Sequence, residues 1–518
     1  MTPHTCDLLI VGAGPAGMQA ALTARRHGLS VIVADEAPAA GGQIYRAAAN
    51  SPLARPQTLG PDYAAGRDLI DRFLNSGARY WPATLVWEVG GARRAMLTRR
   101  AIGGVAGNEA QNDARSDARS DVPNDAPNDA PNDARSGRAG TGPAHSGGTV
   151  EVRFGALLLA TGAQERPWPV PGWTLPGVMG VGGAQTLMKA SALAPGPDTV
   201  LVGSGPLLWL YAAQLVAAGR TVQALVDTTP RDAQRHALPQ LPRALRALDQ
   251  LRKGLHMMRT VRRAGIPIHR GACDVAIQGA TQAQGLRFRV GGETIVLTTS
   301  QVLLHQGVIP GTNLSRAAGC THHWNDTQAC WQPSVDATGR SSVAQVWIAG
   351  DGAGIGGAML ARLAGERSAL DIAVALGHID SQTAAREDAA ARRAAGRHAA
   401  LRPLLDVLYT PPQRTRLPAD DVIVCRCEEV SAGEIRRIAR LGCTGPNQMK
   451  AFSRCGMGPC QGRQCGTVVT ELLAQTQGRL PADVGYYRIR APVKPVTVAE
   501  IAAGWPADER FARGDFPS

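Results

Sequence analysis

The stretch Leu8-Leu9-Ile10-Val11-Gly12-Ala13-Gly14-Pro15-Ala16-Gly17 decides the fold of the first part of this chain. Its apolar run predicts a buried strand, its glycines predict a tight turn, and residues 18–27 predict a helix that ends at Gly28. Val31-Ile32-Val33 predicts the next strand, which the acids Asp35 and Glu36 follow. Strand, glycine turn, helix, strand and acid in this order predict a dinucleotide-binding βαβ unit.

Each residue type in this unit has a physical role. Gly12, Gly14 and Gly17 allow the tight turn, the close approach of a pyrophosphate and the packing of helix on strand. The N-terminus of the helix offers amides and the positive end of its dipole to the phosphates. A carboxylate at Asp35 or Glu36 suits the hydroxyls of a ribose.

Further segments indicate that the dinucleotide is FAD. Gly41-Gly42-Gln43 predicts a second turn, along the ribityl chain and the pyrophosphate. Leu157-Leu158-Leu159-Ala160-Thr161-Gly162 predicts a buried strand and a turn of small residues, and Val346-Trp347-Ile348-Ala349-Gly350-Asp351 predicts a strand whose aspartate accepts a ribityl hydroxyl. Gly356-Gly357 opens a helix toward the flavin's pyrimidine end. With these motifs, residues 5–380 resemble the two-dinucleotide-binding flavoproteins of the glutathione- and thioredoxin-reductase type.

A second βαβ unit lies about 190 residues further on, with Gly203 and Gly205 in its turn and Asp227 after its second strand. Leu208 stands where the third glycine belongs, and we expect it to push the helix away from the strand. Three interpretations remain open for this unit: a working NAD(P) site, an adenine-nucleotide site such as one for ATP without hydride transfer, or an empty domain.

Composition excludes several classes of function. The net charge of +13 is spread along the chain, and no basic cluster alternates with aromatic residues, so nucleic-acid binding is not expected. The N-terminus lacks a secretory signal, and no stretch approaches the roughly 18 apolar residues of a membrane span. We therefore expect a cytoplasmic protein without a transmembrane segment, compatible with peripheral membrane association, whose cysteines stay reduced.

Six of the ten cysteines lie between Cys425 and Cys465. Cys425 and Cys427 form C-x-C, and after a gap of 32 residues Cys460 and Cys465 form C-x4-C. Such crowding is typical of an iron–sulfur cluster, a zinc site or disulfides, and a reducing compartment disfavours disulfides. Structural zinc sites more often use two C-x2-4-C pairs, and a chain with a flavin already handles electrons.

The segments Val424-Cys-Arg-Cys-Glu-Glu-Val430 and Gly458-Pro-Cys-Gln-Gly-Arg-Gln-Cys465 resemble the bacterioferritin-associated-ferredoxin-like [2Fe–2S] domain. The resemblance implies that Cys425, Cys427, Cys460 and Cys465 are the metal ligands, and that Cys443 and Cys455 lie outside the ligand set. Ser431-Ala432-Gly433-Glu434 is a capping-box pattern that predicts a helix to about Leu441.

The expected fold is α/β: a two-dinucleotide-binding-domain flavoprotein, with two Rossmann-like domains, plus a small C-terminal helical [2Fe–2S] domain. Residues 103–149 form a short polar repeat with little to bury, which predicts a disordered insertion. The expected parts are a FAD-binding domain (1–190 and 300–380), a second nucleotide-binding-like domain (191–299), a helix and linker (381–420, with a helical run at 384–405), the [2Fe–2S] domain (421–475) and a C-terminal tail (476–518).

Catalytic residues are not apparent in the sequence. The segment Gly42-Gln43-Ile44-Tyr45 has no cysteine where disulfide reductases of this superfamily carry one, so a disulfide reductase is disfavoured. His305-Gln306-Gly307 follows a buried strand near the expected flavin face and is interpreted as structural. The remaining cysteines are isolated in the sequence and are interpreted as core or surface residues: Cys6, Cys273, Cys320 and Cys330.

Taken together, residues 41–46, residues 350–358, the two cysteine segments and Arg488-Ile-Arg-Ala-Pro-Val-Lys-Pro-Val496 resemble the α (A) subunit of bacterial heteromeric amino-acid dehydrogenases. That family includes opine oxidases, D-hydroxyproline dehydrogenase and the B subunit of hydrogen cyanide synthase. The resemblance implies a FAD-dependent oxidoreductase subunit that relays electrons through FAD and a [2Fe–2S] cluster. It also implies a partner subunit resembling D-amino-acid oxidase, which oxidises the substrate, and often a small ferredoxin-like third subunit.

Two alternatives follow from the same residues. The chain could be a self-sufficient NAD(P)H-dependent flavin reductase of the ferredoxin-reductase type, which requires a working second nucleotide site and is opposed by Leu208. It could also be a silent assembly subunit whose C-terminal domain is held by zinc.

Overall fold

The computed structural model describes residues 3–53, 56–90, 93–100 and 148–504. The insertion expected at 103–149 therefore lies outside the described residues, except for its last two positions. Thr149 already belongs to a strand.

The described strands are β1 (His4–Val11), β2 (Val31–Ala34), β3 (Arg79–Trp81), β4 (Thr84–Gly90), β5 (Arg94–Arg99), β6 (Thr149–Leu159), β7 (Ala163–Glu165), β8 (Val178–Gly180), β9 (Val200–Ser204), β10 (Ala224–Asp227), β11 (Ile268–Arg270), β12 (Cys273–Gln278), β13 (Gly285–Val290), β14 (Glu293–Thr298), β15 (Val302–Gln306), β16 (Val308–Pro310), β17 (His322–Asn325), β18 (Cys330–Pro333), β19 (Val346–Ile348), β20 (Ile423–Cys425) and β21 (Val430–Ser431).

The described α-helices are α1 (Pro15–Arg26), α2 (Pro61–Leu74), α3 (Val181–Ser191), α4 (Pro206–Ala217), α5 (Ala233–Ala237), α6 (Leu241–Ala244), α7 (Leu248–Arg263), α8 (Asn313–Ala317), α9 (Ala358–Ala375), α10 (Ser381–His398), α11 (Arg402–Leu408), α12 (Gln413–Arg416), α13 (Ala432–Arg440), α14 (Pro446–Ser453), α15 (Gly466–Gln477), α16 (Pro481–Val484) and α17 (Val498–Gly504).

The first sheet has the strand order β3-β2-β1-β6-β5-β4, and β19 also pairs with β6. Strands β1, β2, β3, β6 and β19 run parallel, whereas β5 pairs antiparallel with both β4 and β6. β2 and the last four residues of β6 are apolar and fully buried. This is typical of parallel sheets, in which both faces are covered. Helices α1 and α9 pack closely together, and a Cβ on Gly365 would lie 2.0 Å from the carbonyl oxygen of Ala16.

The second sheet is entirely parallel, in the order β11-β10-β9-β15-β8. Two of its strands, β8 and β15, lie outside the 191–299 boundaries expected from the sequence. The sequence does not indicate β8 because three residues are too few to signal a strand. It does predict a buried strand before His305, but the apolar run of β15 is equally compatible with the first sheet, to which the expected boundaries assign it. A three-stranded antiparallel sheet, β12-β13-β14, is attached to this domain.

Residues 422–487 form a small helical domain around its own core, built mainly from α13 and α15. The helical run expected at 384–405 is α10, a 3-10 turn at 399–401, and α11. Ser431 caps α13 as expected: its Oγ accepts a hydrogen bond from the amide of Glu434 at 3.2 Å.

The end of the described chain returns to the first sheet. The amide of Val493 donates to the carbonyl of Trp87 in β4 at 2.9 Å. Arg100 Nε pairs with Glu500 Oε1 at 2.9 Å. Within the described ranges, no helix combines the length and apolar character that crossing a bilayer requires.

Candidate flavin site, nucleotide loop and cysteine site

The glycines of the first loop are required by close backbone contacts. A Cβ on Gly12, whose φ is +106°, would lie 2.4 Å from the oxygen of Ala160. A Cβ on Gly17 would lie 1.9 Å from the oxygen of Gly12, so α1 can begin directly against β1 only with glycine there. Gly42, with φ +60°, contacts Gly14, and this contact brings the two glycine turns together.

The two acids after β2 point to different places. The carboxylate of Asp35 accepts the amide of Ala13 at 2.5 Å and the amide of Ala37 at 2.7 Å. Burial raises the pKa of Asp35, and these two hydrogen bonds oppose the rise. Asp35 therefore shapes the glycine loop, whereas Glu36 is exposed and pairs with Lys494 of the C-terminal tail.

Lys189 is a functional candidate that the sequence reasoning missed. Its Nζ, buried beneath the segment that follows Gly42, donates to the carbonyls of Gln43 (3.0 Å) and Ile44 (3.1 Å) and to Gln185 Oε1 (3.0 Å). Desolvation, with a smaller effect of nearby Arg46, lowers the pKa of Lys189 to about 8. The one feature of the sequence that could have pointed to Lys189 is that it is the only charged residue of α3 and lies four residues after Gln185.

The other expected flavin residues lie at the same edge of the first sheet. Thr161 Oγ1 donates to the oxygen of Gly311 at 3.0 Å, directly after β6. Asp351 follows β19, and its Oδ1 accepts the amides of Gly356 and Gly357 at 2.9 Å each, just before α9. Gly350 has φ +73° and packs against Ala16 of α1.

These groups form one cradle, because the parallel strands β1, β2, β6 and β19 end side by side. Two observations indicate that FAD fits this cradle. Cβ positions on Gly162 and Gly357 meet open space within 4 Å, so a ligand can approach the backbone there. In addition, Arg46 Nε is buried without a hydrogen-bond partner among the described residues, which leaves a donor for a ligand oxygen.

The second glycine loop differs from the first at the position of its third glycine. A Cβ on Gly203 would lie 1.6 Å from the oxygen of His305, and Gly205 has φ +117°. Leu208, in the first turn of α4, is fully buried in the core, so a side chain occupies the position at which the first loop has only Gly17. Asp227 Oδ1 accepts the amide of Thr229 at 2.9 Å, and burial raises the pKa of Asp227.

His305 belongs to this second loop rather than to the first cradle. Its Nδ1 lies 2.5 Å from Glu165 Oε1, and its buried ring lies next to Gly205. Glu165 also accepts the amide of Gly182 at 3.0 Å, at the start of α3. These contacts tie β7, β15 and α3 together, in line with the structural role expected of His305.

The cysteine site is divided into a buried and an exposed side. The sulfurs of Cys425, Cys455 and Cys465 all lie within 4.8 Å of one another, and all three residues are buried. Cys427 is exposed, and its side chain hydrogen-bonds to that of the half-buried Cys460.

The backbone positions these thiols from several directions. Cys425 ends β20, Cys427 lies in the following turn, and Cys465 is the N-cap residue of α15. Gly458 packs directly on Cys427, where a Cβ would lie 2.2 Å from the Cβ of that cysteine. Hydrogen bonds from the other two buried thiols lower the pKa of Cys425 to about 2.

Cys455 lies closer to the proposed ligands than the sequence alone indicates. The resemblance leaves it outside the ligand set with Cys443, but its sulfur lies within 4.8 Å of those of Cys425 and Cys465. It lies there because α14 ends at Ser453 and Arg454 takes a left-handed conformation, which directs the next residue inward. Cys443 does lie apart: its sulfur donates to the oxygen of Gly445 at 3.4 Å.

The cysteine loop is fastened to the flavin domain. Gln164 Nε2 donates to the oxygen of Arg463 at 2.7 Å, and Asn313 Nδ2 donates to the oxygen of Gln461 at 3.1 Å. The guanidinium of Arg316 lies 4.2 Å from the ring centroid of Tyr486, a cation–π contact across the same boundary.

Comparisons with known proteins agree with this arrangement. Residues 6–368 match the pyridine nucleotide-disulphide oxidoreductase family, and residues 422–505 match the sarcosine oxidase A3 domain. The A subunit of opine oxidase from Rhizobium meliloti (strain 1021) is 41% identical over 96% of this chain and 98% of that protein. The HcnB subunit of hydrogen cyanide synthase from Pseudomonas aeruginosa is 30% identical over 94% of this chain and 96% of that protein.

Among solved structures, L-proline dehydrogenase from P. horikoshii shares the fold, with a TM-score of 0.63 and 16% identity over 97% of this chain and 80% of that one. The expected FAD-dependent oxidoreductase is thereby confirmed, as is the expected flavoprotein subunit of a heteromeric oxidase or dehydrogenase. The chain belongs to the pyridine nucleotide-disulphide oxidoreductases and, within them, to the family of A-type subunits of bacterial heteromeric amino-acid dehydrogenases that includes HcnB and its opine oxidase counterpart.

Proposed function

We propose that this chain is the electron-transfer subunit of a heteromeric amino-acid or opine dehydrogenase, in which electrons pass between FAD and a [2Fe–2S] cluster. The observation that carries the proposal is the hydrogen bond from Gln164 to Arg463. It places the loop of Cys460 and Cys465 beside the turn that contains Thr161 and Gly162 of the flavin cradle. FAD in the cradle and a cluster on this loop would then be held by neighbouring segments of one chain.

The chain's own residues have distinct roles in this proposal. Gly12, Gly14 and Gly42 give the pyrophosphate access to backbone amides, and Asp35 holds the loop that presents them. Lys189 fixes the segment that carries Gln43. FAD exchanges electron pairs, and an iron–sulfur cluster exchanges single electrons.

Cys425, Cys427, Cys460 and Cys465 are proposed to hold the cluster. The donor set suits it, because thiolates are the ligands of such clusters, and this domain holds three sulfurs within 4.8 Å of one another together with the pair Cys427 and Cys460. Cys425 and Cys465 are buried, and Tyr487 packs against Cys465, which keeps water from one side. Exposure of Cys427 leaves the other side open to a partner.

The substrate-oxidising step is assigned to a partner. Membership of the family makes this chain a subunit of a hetero-oligomer, and the proposed partner is a FAD subunit resembling D-amino-acid oxidase, with a small ferredoxin-like third subunit. The substrate class would then be an amino acid or an opine, which the partner selects.

The test compares Cys460→Ser with Cys443→Ser in the full complex. Cys460→Ser should abolish electron transfer to an artificial acceptor and leave FAD bound, whereas Cys443→Ser should resemble the wild type, because Cys443 lies outside the site. Retained transfer in Cys460→Ser would refute the ligand assignment. Zinc in the purified chain, with no rhombic EPR signal after dithionite, would refute the cluster itself.

A further inference from the structure

The cysteine site offers more thiols than a [2Fe–2S] cluster needs. Such a cluster takes four thiolates, two on each iron. The exposed side of the site has two thiols, Cys427 and Cys460, and the buried side has three: Cys425, Cys455 and Cys465. One thiol on the buried side is therefore in excess.

Sequence spacing does not decide which one. Cys455 lies five residues before Cys460, and Cys465 lies five residues after it, so either neighbour completes a C-x4-C pair. The family resemblance selects Cys465 as the ligand because of its place in the motif. It does not rest on any difference in geometry between Cys455 and Cys465.

Position and surroundings are also alike for the two candidates. Both are fully buried, and both sulfurs lie within 4.8 Å of that of Cys425. Both contact the same hydroxyl: Tyr487 Oη donates to Cys455 Sγ at 3.5 Å and lies 3.7 Å from Cys465 Sγ.

Tyr487 packs into the loop from one side, close to the backbone of both thiols. A Cβ on Gly456 would lie 2.4 Å from the Tyr487 ring, and a Cβ on Gly462 would lie 2.5 Å from it. The ring therefore supports the chain just after Cys455 and just before Cys465.

The helix ends introduce one difference. Cys465 is the N-cap residue of α15, where the positive end of the helix dipole stabilises a thiolate, whereas Cys455 follows the C-terminal end of α14. Cys465 is thus the better resting ligand, and Cys455 is the thiol held in reserve beside it.

We propose that Cys455 is a fifth, ligand-competent thiol of this site, able to take the coordination position of Cys465. In that exchange the Cys455 thiol would pass its proton to the departing Cys465 thiolate, whose sulfur lies within 4.8 Å, so the number of thiolate ligands, the charge and the oxidation state of the iron would not change. The inference rests on the proposed cluster.

Iron content and the EPR spectrum of the reduced full-length chain test it. Cys465→Ser should keep at least about half of the wild-type iron with altered g-values, whereas Cys455→Ser/Cys465→Ser should keep less than about a tenth. Cys443→Ser/Cys465→Ser is the matched control, and it should retain as much iron as Cys465→Ser alone.

Folded Cys465→Ser without iron, scored as folded by its bound FAD, would overturn the inference. Should that variant not fold, Cys455→Ser alone decides: faster loss of iron to a chelator than in the wild type supports the reserve ligand, and an equal rate of loss overturns it. A wild-type chain without iron would instead refute the proposed function, so the two failures are distinguishable.

Discussion

The side-chain amide of Gln164 hydrogen-bonds to the backbone carbonyl of Arg463, 299 residues away in sequence and between Cys460 and Cys465. Gln164 belongs to β7, only two residues after Gly162 of the flavin cradle. One side chain thus joins the two candidate redox sites.

Removing this contact and its neighbour should loosen the cysteine loop. The variant Gln164→Ala/Asn313→Ala loses two hydrogen bonds of about 1 kcal/mol each, so the free energy of unfolding of the C-terminal domain should fall by about 2 kcal/mol. Denaturant titration followed by the visible absorption of the cluster measures it. Gln250→Ala, which removes an amide remote from the loop, is the control. Equal midpoints in all three proteins would contradict the anchoring role.

Lys189 should make stability depend on pH. Its pKa is lowered to about 8 in the folded chain and has its ordinary value of 10.5 when unfolded, so between these values the unfolded state binds more protons and stability rises with pH. The free energy of unfolding of the wild type, minus that of Lys189→Met, should increase by about 3 kcal/mol across this window.

Denaturant titrations at a series of pH values check this difference. Below about pH 7.5 it should be constant, because Lys189 is protonated in both states. A difference that stays flat up to pH 10.5 would show that Lys189 keeps its ordinary pKa.

Leu208 should prevent efficient use of NADH. We expect the side chain at this position to hinder the close approach of a pyrophosphate that Gly17 permits in the first loop, so NADH would bind less closely. We expect the visible absorption of the flavin to persist at about millimolar NADH, and dithionite to bleach it as the positive control. Rapid bleaching by NADH would favour the self-sufficient reductase instead.

Tyr487 should raise the reduction potential of the proposed cluster. Hydrogen bonds to sulfur stabilise the reduced form, and Tyr487→Phe removes the hydroxyl that contacts Cys455 and Cys465. Loss of about 1 kcal/mol corresponds to a potential lower by about 40 mV in a one-electron titration. Tyr486→Phe is the matched control, since its hydroxyl donates to the carbonyl of Gly462 and to no sulfur. A shift of the same size in both variants would exclude the specific contact.

Much of the flavin cradle could be predicted because its determinants are local. Gly12 and Gly17 lie within one loop, and the backbone contact between them is encoded in six consecutive residues. Parallel pairing then brings Gly162 and Asp351 to the same edge, since each directly follows an apolar strand.

What could not be predicted depends on contacts between distant segments. Lys189 reaches carbonyls about 145 residues earlier in the chain, and no periodicity reports such a contact. Cys455 joins the site because the chain turns inward at Arg454, which has a left-handed backbone conformation. An arginine in the sequence does not predict that conformation. The second sheet extends beyond the 191–299 boundaries for a similar reason. β8 belongs to it only through pairing with β15, which is distant in sequence.

The tail that returns to the first sheet has a consequence for synthesis on the ribosome. Arg100, next to the sheet's outer hairpin, leaves the ribosome 400 residues before its partner Glu500, and Val493 covers Trp87 of β4 equally late. At about 5–20 residues per second, the interval is about 20–80 s. During that time this side of the sheet has no tail to cover it, so the nascent chain presents an uncovered strand edge to chaperones before the last segment arrives.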